Sequence, residues 1–261
     1  MVVLNKKSTL LRLKHGLIIS CQPRIKSALD HPRFVAALAT VAEQQGAAGV
    51  RIRGVRDIRA VAGAVDIPTI GLEKITDPDS DVYITPTIES VRRVSRAGAQ
   101  IIAMDATERP RPKGQHLANI VNAAKDNLDA LLMADIATLK EGVEAAKLGF
   151  DMVGTTLCGY TENTRHRAGP AFELARRLVR EIDIPVILEG RVQKPDHVRK
   201  AFELGVYAVV AGTAVTDFEW LARRFIDACP NAKAGSAEEQ RSRRESRRAD
   251  DLKSGRWKLR P

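Results

Sequence analysis

Lys74 and Glu189 are the residues whose settings best suit proton chemistry. Lys74 follows Gly71-Leu72-Glu73. A lysine held among other cations and partly desolvated has its pKa lowered enough to act as a base or a Schiff-base nucleophile. The plainer alternative is a surface lysine paired with Glu73 or Asp77. Glu189 ends Pro185-Val186-Ile187-Leu188, four residues suited to full burial, and is followed by Gly190-Arg191. Burial raises a carboxyl group toward the range useful for a general acid, and Gly190 lets backbone approach a ligand. Its plainer alternative is an ion pair with a neighbouring arginine such as Arg191. The pairs Gly190-Arg191 and Gly212-Thr213 suit an oxyanion, received by backbone N–H groups and a short helix start, though glycines there also serve ordinary turns. Asp105 and Asp135 are placed to orient hydroxyl groups or catalytic side chains. Thr138 with Glu141 three residues later makes a capping box, which leaves Asp135 free of that duty. Together with Gln22 and Arg51 these residues suit an anionic, hydroxylated small molecule. The five histidines show no metal-ligand spacing, and no metal site is expected.

The elements that must position these residues repeat along the chain. Short, nearly continuous apolar runs at 17–20, 48–52, 68–72, 101–105, 131–135, 152–156, 185–189 and 208–212 read as buried parallel strands. Amphipathic segments such as 33–45, 87–97, 138–148, 170–180 and 195–204 read as helices between them. Gly46, Gly98, Gly149 and Gly205 each precede a strand and suit a left-handed helix cap. Eight such pairs between 17 and 229 predict an α/β protein with a single closed (β/α)₈ barrel, with its chemistry at the carboxyl ends of the strands. An open doubly wound sheet is the alternative, but no G-x-G-x-x-G follows the first strand.

The chain has 261 residues, of which 44% are hydrophobic and 28% charged, with a net charge of +10. This composition excludes a disordered, fibrous or disulfide-stapled chain. Cys21, Cys158 and Cys229 form no C-x-x-C pair, so a reducing cytoplasm is expected. The apolar run after the basic N-terminal residues is too short for a signal segment, and no stretch approaches the roughly 20 apolar residues of a membrane span. Residues 231–261 hold ten basic and five acidic residues, half of the net charge. They read as a basic tail, disordered or weakly helical, so the expected division is a barrel over 1–229 and a tail over 230–261.

Several segments, taken in order, resemble the N-acetylmannosamine-6-phosphate 2-epimerase family of bacterial sialic-acid catabolism. They are Ile19-Ser20-Cys21-Gln22, the stretch from Val50-Arg51 to Asp57-Ile58, Gly71-Leu72-Glu73-Lys74, and Tyr83-Ile84-Thr85-Pro86-Thr87. The series continues with Ala103 to Thr107, Met133-Ala134-Asp135-Ile136, Thr155 to Thr161, and Leu188-Glu189-Gly190-Arg191. The resemblance implies a phosphate-binding TIM barrel that interconverts N-acetylmannosamine 6-phosphate and N-acetylglucosamine 6-phosphate, as a homodimer, without metal or nucleotide cofactor. It implies that Lys74 is the base at C2 and Glu189 its acid partner. Gln22, Arg51 and Asp135 would contact the sugar or position Lys74, and Gly190, Arg191, Gly212 and Thr213 would hold the 6-phosphate. Glu73, Ile75, Cys158 and Gly212-Thr213 depart from the family pattern.

Two other readings stand beside it. One is a phosphate-binding barrel aldolase that forms a Schiff base at Lys74. The other is a barrel scaffold whose basic tail binds nucleic acid, against which stands the lack of an aromatic platform or recognition helix.

Overall fold

The apolar runs become the parallel strands of a closed barrel in a computed structural model that describes residues 5–166 and 168–230. The strands are β1 (Leu17–Cys21), β2 (Gly49–Arg53), β3 (Thr69–Leu72), β4 (Ile101–Asp105), β5 (Leu131–Asp135), β6 (Met152–Gly154), β7 (Val186–Glu189) and β8 (Ala208–Ala211). Each pairs with its neighbour in sequence, and β8 returns to β1 with Leu17 opposite Val209. Around them run α1 (Lys6–Leu13), α2 (Pro32–Gln44), α3 (Val55–Ala62), α4 (Ile88–Arg96), α5 (Leu117–Asn127), α6 (Leu139–Leu148), α7 (Phe172–Glu181) and α8 (Pro195–Glu203). The short α9 (Thr213–Thr216) and α10 (Phe218–Asp227) follow β8.

Side chains alternate along each strand, and this divides the core in two. Ile19, Val50, Ile52, Ile102, Leu132, Val153, Leu188 and Val209 pack outward against the helices. Ile18, Ile70, Leu72, Ile101, Met133, Met152, Ile187 and Val210 fill the lumen together with Leu13 of α1. The same alternation turns Arg51 of β2, Asp135 of β5 and Glu189 of β7 inward at the carboxyl end, where an outward position would have called for an apolar residue. Lys74 continues the inward series Ile70, Leu72, whereas Glu73 falls on the outward series and pairs there with Arg93 of α4 at 2.7 Å.

The predicted helix signals are present. Gly46, Gly98, Gly149 and Gly205 all have positive φ. Thr138 caps α6, and its capping box with Glu141 is complete. Strand β6 stops at Gly154, two residues before the sequence pattern suggests, and the side chains of Thr155 and Thr156 just beyond it reach β7 and β5. The chain divides into two units, Met1–Trp220 and Leu221–Pro261. All eight strands lie in the first. In the second, Arg223 pairs with Asp227 at 3.5 Å, and the basic stretch 231–261 lies outside the described residues. Among the described residues, no helix is long and apolar enough to cross a membrane.

Candidate active site

Arg51 is the centre of the site. Its guanidinium is almost fully buried and grips Asp135 in bidentate fashion, Nη2 to Oδ2 at 2.6 Å and Nη1 to Oδ1 at 3.2 Å. Nη1 also lies 3.1 Å from Oε2 of Glu189. Burial works against the charge of Arg51, but the two carboxylates reverse that effect and hold its pKa above the usual value. A planar, permanently charged fork suits this place better than lysine would. Glu189 responds in the opposite sense. Its burial raises its pKa from 4.5 to about 7, with Asp135 adding to the rise and Arg51 opposing it. The ion pair considered for Glu189 is therefore made with Arg51 and not with Arg191.

Lys74 lies two residues beyond β3, held by a backbone bridge to Ile84. Its side chain opens onto a cavity of about 500 Å³ that Arg51 and Glu189 also line. The side chain reaches solvent through the mouth of that cavity while protein crowds its walls. This crowding lowers its pKa, helped by the like charges of Arg51 and Arg53. No ion pair of Lys74 is found among the described residues: Glu73 is taken by Arg93, and Asp77 turns back to accept from the Asp79 N–H.

The remaining predicted residues gather at the same mouth. Gly190, Arg191, Gly212 and Thr213 line the cavity between the ends of β7 and β8, with Thr213 opening α9. Arg191 adopts a left-handed φ of 55° and donates from Nη1 and Nη2 to the carbonyls of Cys158 and Gly159, at 3.1 and 2.7 Å. Its guanidinium also stacks 4.4 Å from the centre of the Tyr160 ring. Two of its N–H groups thus tie the loop after β6 to the loop after β7. Gln22 donates from Nε2 to Ser20 Oγ at 2.9 Å, and its Oε1 is buried with no hydrogen-bond partner.

Two predicted strand-end carboxylates do not line this cavity: Asp135 lies beneath it, against Arg51 and Thr156, and Asp105 lies apart from it. Asp105 accepts from the Thr107 N–H and hydroxyl at 3.0 and 2.7 Å and pairs with Arg109 at 2.7 Å. Arg111 reaches its backbone carbonyl. Burial raises the Asp105 pKa, and it lowers that of Arg111 to about 10.

Four residues that sequence reasoning left without a role also belong to the site. Tyr83 and Tyr160 line the cavity. Thr155 brackets the backbone of Glu189, donating to its carbonyl at 2.9 Å and accepting from its N–H at 3.0 Å. Thr156 Oγ1 sits 2.6 Å from Asp135 Oδ1 and 3.1 Å from Glu189 Oε2. The signal for the threonines was available, as two hydroxyl residues where a strand should continue. Among the described residues, no group of three or more His, Cys, Asp or Glu side chains is arranged to hold a metal ion.

A closed parallel barrel with a buried Arg–Asp–Glu cluster and an inward lysine at the carboxyl ends of its strands defines a (β/α)₈-barrel protein with a charged cavity at that rim. Comparison with known proteins narrows the class. Residues 35–231 match a family described as "Putative N-acetylmannosamine-6-phosphate epimerase". The chain is 44% identical over 216 residues to a protein of Caldanaerobacter subterraneus subsp. tengcongensis named "Putative N-acetylmannosamine-6-phosphate 2-epimerase", covering 82% of this chain and 91% of that one. Its fold is similar to the solved structure of the N-acetylmannosamine-6-phosphate 2-epimerase from Clostridium perfringens. That match has a TM-score of 0.83 and 39% identity, over 88% of this chain and all of the other. A thiamine phosphate pyrophosphorylase from Pyrococcus furiosus shares the barrel alone, with a TM-score of 0.54 at 18% identity over 82% of this chain and 93% of the other. The chain belongs to the N-acetylmannosamine-6-phosphate 2-epimerase family.

Proposed function

We propose that the protein is an isomerase that interconverts N-acetylmannosamine 6-phosphate and N-acetylglucosamine 6-phosphate, by removing and returning the proton at C2 of the ring-opened sugar. One observation carries this reading. A lysine whose pKa is lowered by the protein crowding it and by the nearby arginines, and a carboxyl group whose pKa is pushed up to about 7, line a single cavity. The C2 proton is acidic only beside the C1 carbonyl of the open chain. One group must therefore promote ring opening and another must take the proton. In this reading Lys74 is the base at C2 and Glu189 the acid that assists ring opening. Gln22, Arg51 and Asp135 contact the sugar or position Lys74. Gly190, Arg191, Gly212 and Thr213 hold the 6-phosphate with backbone N–H groups and the donors Arg191 has left over. Neither metal nor nucleotide enters the proposed reaction.

The catalytic body in this proposal is residues 1–229, with 230–261 a separate basic tail. The family resemblance supports a homodimer working in the cytoplasm, in sialic-acid catabolism. Analytical ultracentrifugation of the full chain tests the dimer.

The reaction is tested by incubating the protein with N-acetylmannosamine 6-phosphate in D₂O and following C2 by NMR. Epimer carrying solvent deuterium at C2 is expected, and is expected to vanish in Lys74→Ala. Absence of turnover by the wild type overturns the proposal. Covalent trapping of substrate on Lys74 by borohydride would assign that lysine to Schiff-base chemistry instead.

A further inference from the structure

Thr156 occupies a position that neither the family resemblance nor the proposed roles account for. Its hydroxyl lies between two carboxyl groups brought together from different strands, Asp135 of β5 at 2.6 Å and Glu189 of β7 at 3.1 Å. A hydroxyl has one proton to give and lone pairs with which to accept. At 2.6 Å two oxygens must share a proton, so the Thr156 proton is committed to Asp135. That contact has the length of an O–H···O⁻ bond to a charged acceptor. Asp135 is tied down in turn by the bidentate grip of Arg51. The Oε2 of Glu189 therefore faces a lone pair of Thr156. Two lone pairs at 3.1 Å repel in a buried setting, unless Oε2 itself carries the proton between them.

The geometry points to Thr156 as a positioning residue that accepts the acid proton of Glu189 and so keeps Glu189 in its protonated form before the sugar arrives. The order of donation is then Glu189 Oε2–H to Thr156 Oγ1, and Thr156 Oγ1–H to Asp135 Oδ1. Arg51 Nη1 lies 3.1 Å from the same Oε2, which supplies a countercharge at the moment Glu189 gives its proton up. Thr155 fixes the backbone of Glu189 from the adjacent position, so consecutive residues after β6 set the place and the protonation state of one side chain. The charged groups facing Glu189 from other elements are Arg51 on β2, Lys74 after β3 and Asp135 on β5. Of these, the two cations favour the ionised carboxylate, and Asp135 opposes it. Thr156 sides with Asp135 in this assignment. A Thr156 hydroxyl that donated to Glu189 would side with the cations, and this gives the two arrangements opposite signs.

The inference rests on Glu189 being the acid of the proposed reaction, but its test reads the carboxyl group directly. The carboxylic C=O stretch of Glu189 is followed by infrared difference spectroscopy against pH, and is assigned by its loss in Glu189→Gln. In the wild type the band is expected at the position of a carboxylic acid that donates a hydrogen bond. A band of a non-donating acid, or no protonated Glu189 near neutral pH, overturns the inference without any variant having to fold. In Thr156→Val the titration midpoint is expected to fall by about one pH unit, the equivalent of one hydrogen bond. Thr156→Ser is expected to restore it. A rise in Thr156→Val means that the hydroxyl donates to Glu189 and also overturns the inference. In the turnover assay, Thr156→Val is expected to lower kcat while KM hardly moves. A wild type that titrates as expected but fails to epimerise the sugar phosphate overturns the reaction and leaves the Thr156 assignment standing.

Discussion

Replacing Arg51 with methionine would keep most of its volume and remove the charge that Asp135 and Glu189 share. Breaking a buried ion pair from one side costs about 3–5 kcal/mol, because the remaining charge stays in the interior without compensation. Arg51→Met is expected to lose about that much stability in urea unfolding; a loss within the error of wild type would show that solvent reaches the cluster. Glu189 makes a separate prediction about pH. Its pKa, raised from 4.5 to about 7, lets the native protein keep a proton that the unfolded chain has already released. The native state then binds more protons than the unfolded one, so this contribution is full below about pH 4.5 and is lost as pH rises through about 7. Asp105 acts in the same direction, so the contribution of Glu189 is the difference between wild type and Glu189→Gln in urea midpoints over that window. Glu189→Gln is expected to flatten that part of the stability curve and to slow epimerisation by about 10². Lys74 and Glu189 were legible in the sequence because each interrupts or ends an apolar run where packing alone would not choose a charge. Arg109 and Arg111 were not, since they act through a loop that returns to Asp105. The contact of Thr156 with both Asp135 and Glu189 exists only because β5, β6 and β7 lie side by side.

The strands and helices deliver these groups with little slack. In β3, Gly71 faces outward, and a Cβ added there would lie 2.6 Å from Ala99 Cβ and 2.9 Å from Ile58 Cδ1 and Val94 Cγ1. The helices α3 and α4 therefore sit directly on the strand that leads to Lys74. Gly71→Ala is expected to cost about 1–3 kcal/mol by overpacking. It is expected to reduce turnover as well, because the backbone shift reaches Lys74 three residues later. Unchanged stability and turnover would show that α3 and α4 can move away freely. The eight strands were readable from periodicity, and β4 and β5 match their apolar runs residue for residue. Helix α3 was harder to see. It is only eight residues long and follows Gly54, whose φ of 88° turns the chain straight out of β2, without a side-chain cap to announce it.

At the scale of the whole molecule, the net charge of +10 mixes two sources, and half belongs to residues 231–261. Deleting that stretch is expected to leave kcat/KM for epimerisation unchanged. It is also expected to abolish any salt-dependent retention on nucleic acid, whose strength follows the number of phosphate contacts. Lost turnover would tie the tail to the reaction and contradict the division proposed at 229. The barrel itself followed from counting strand–helix pairs. The strand ends that line the cavity were among those expected, Gln22, Arg51, Lys74, Glu189 and Gly212 with them, but its shape was not, since the lumen is shaped by closure and not by any one segment. That closure has a consequence for biosynthesis. The edge of β1 stays unpaired until β8 has been made, because Leu17, Ile18 and Ile19 take their second partner from Val209, Val210 and Ala211. A nascent chain interrupted before β8 would carry two bare strand edges and a half-built lumen, both prone to aggregate. Gln22 and Gly212, at opposite ends of the sequence, meet at one rim only at the last step. The protein thus becomes competent to bind its ligand only after nearly all of the barrel has been translated.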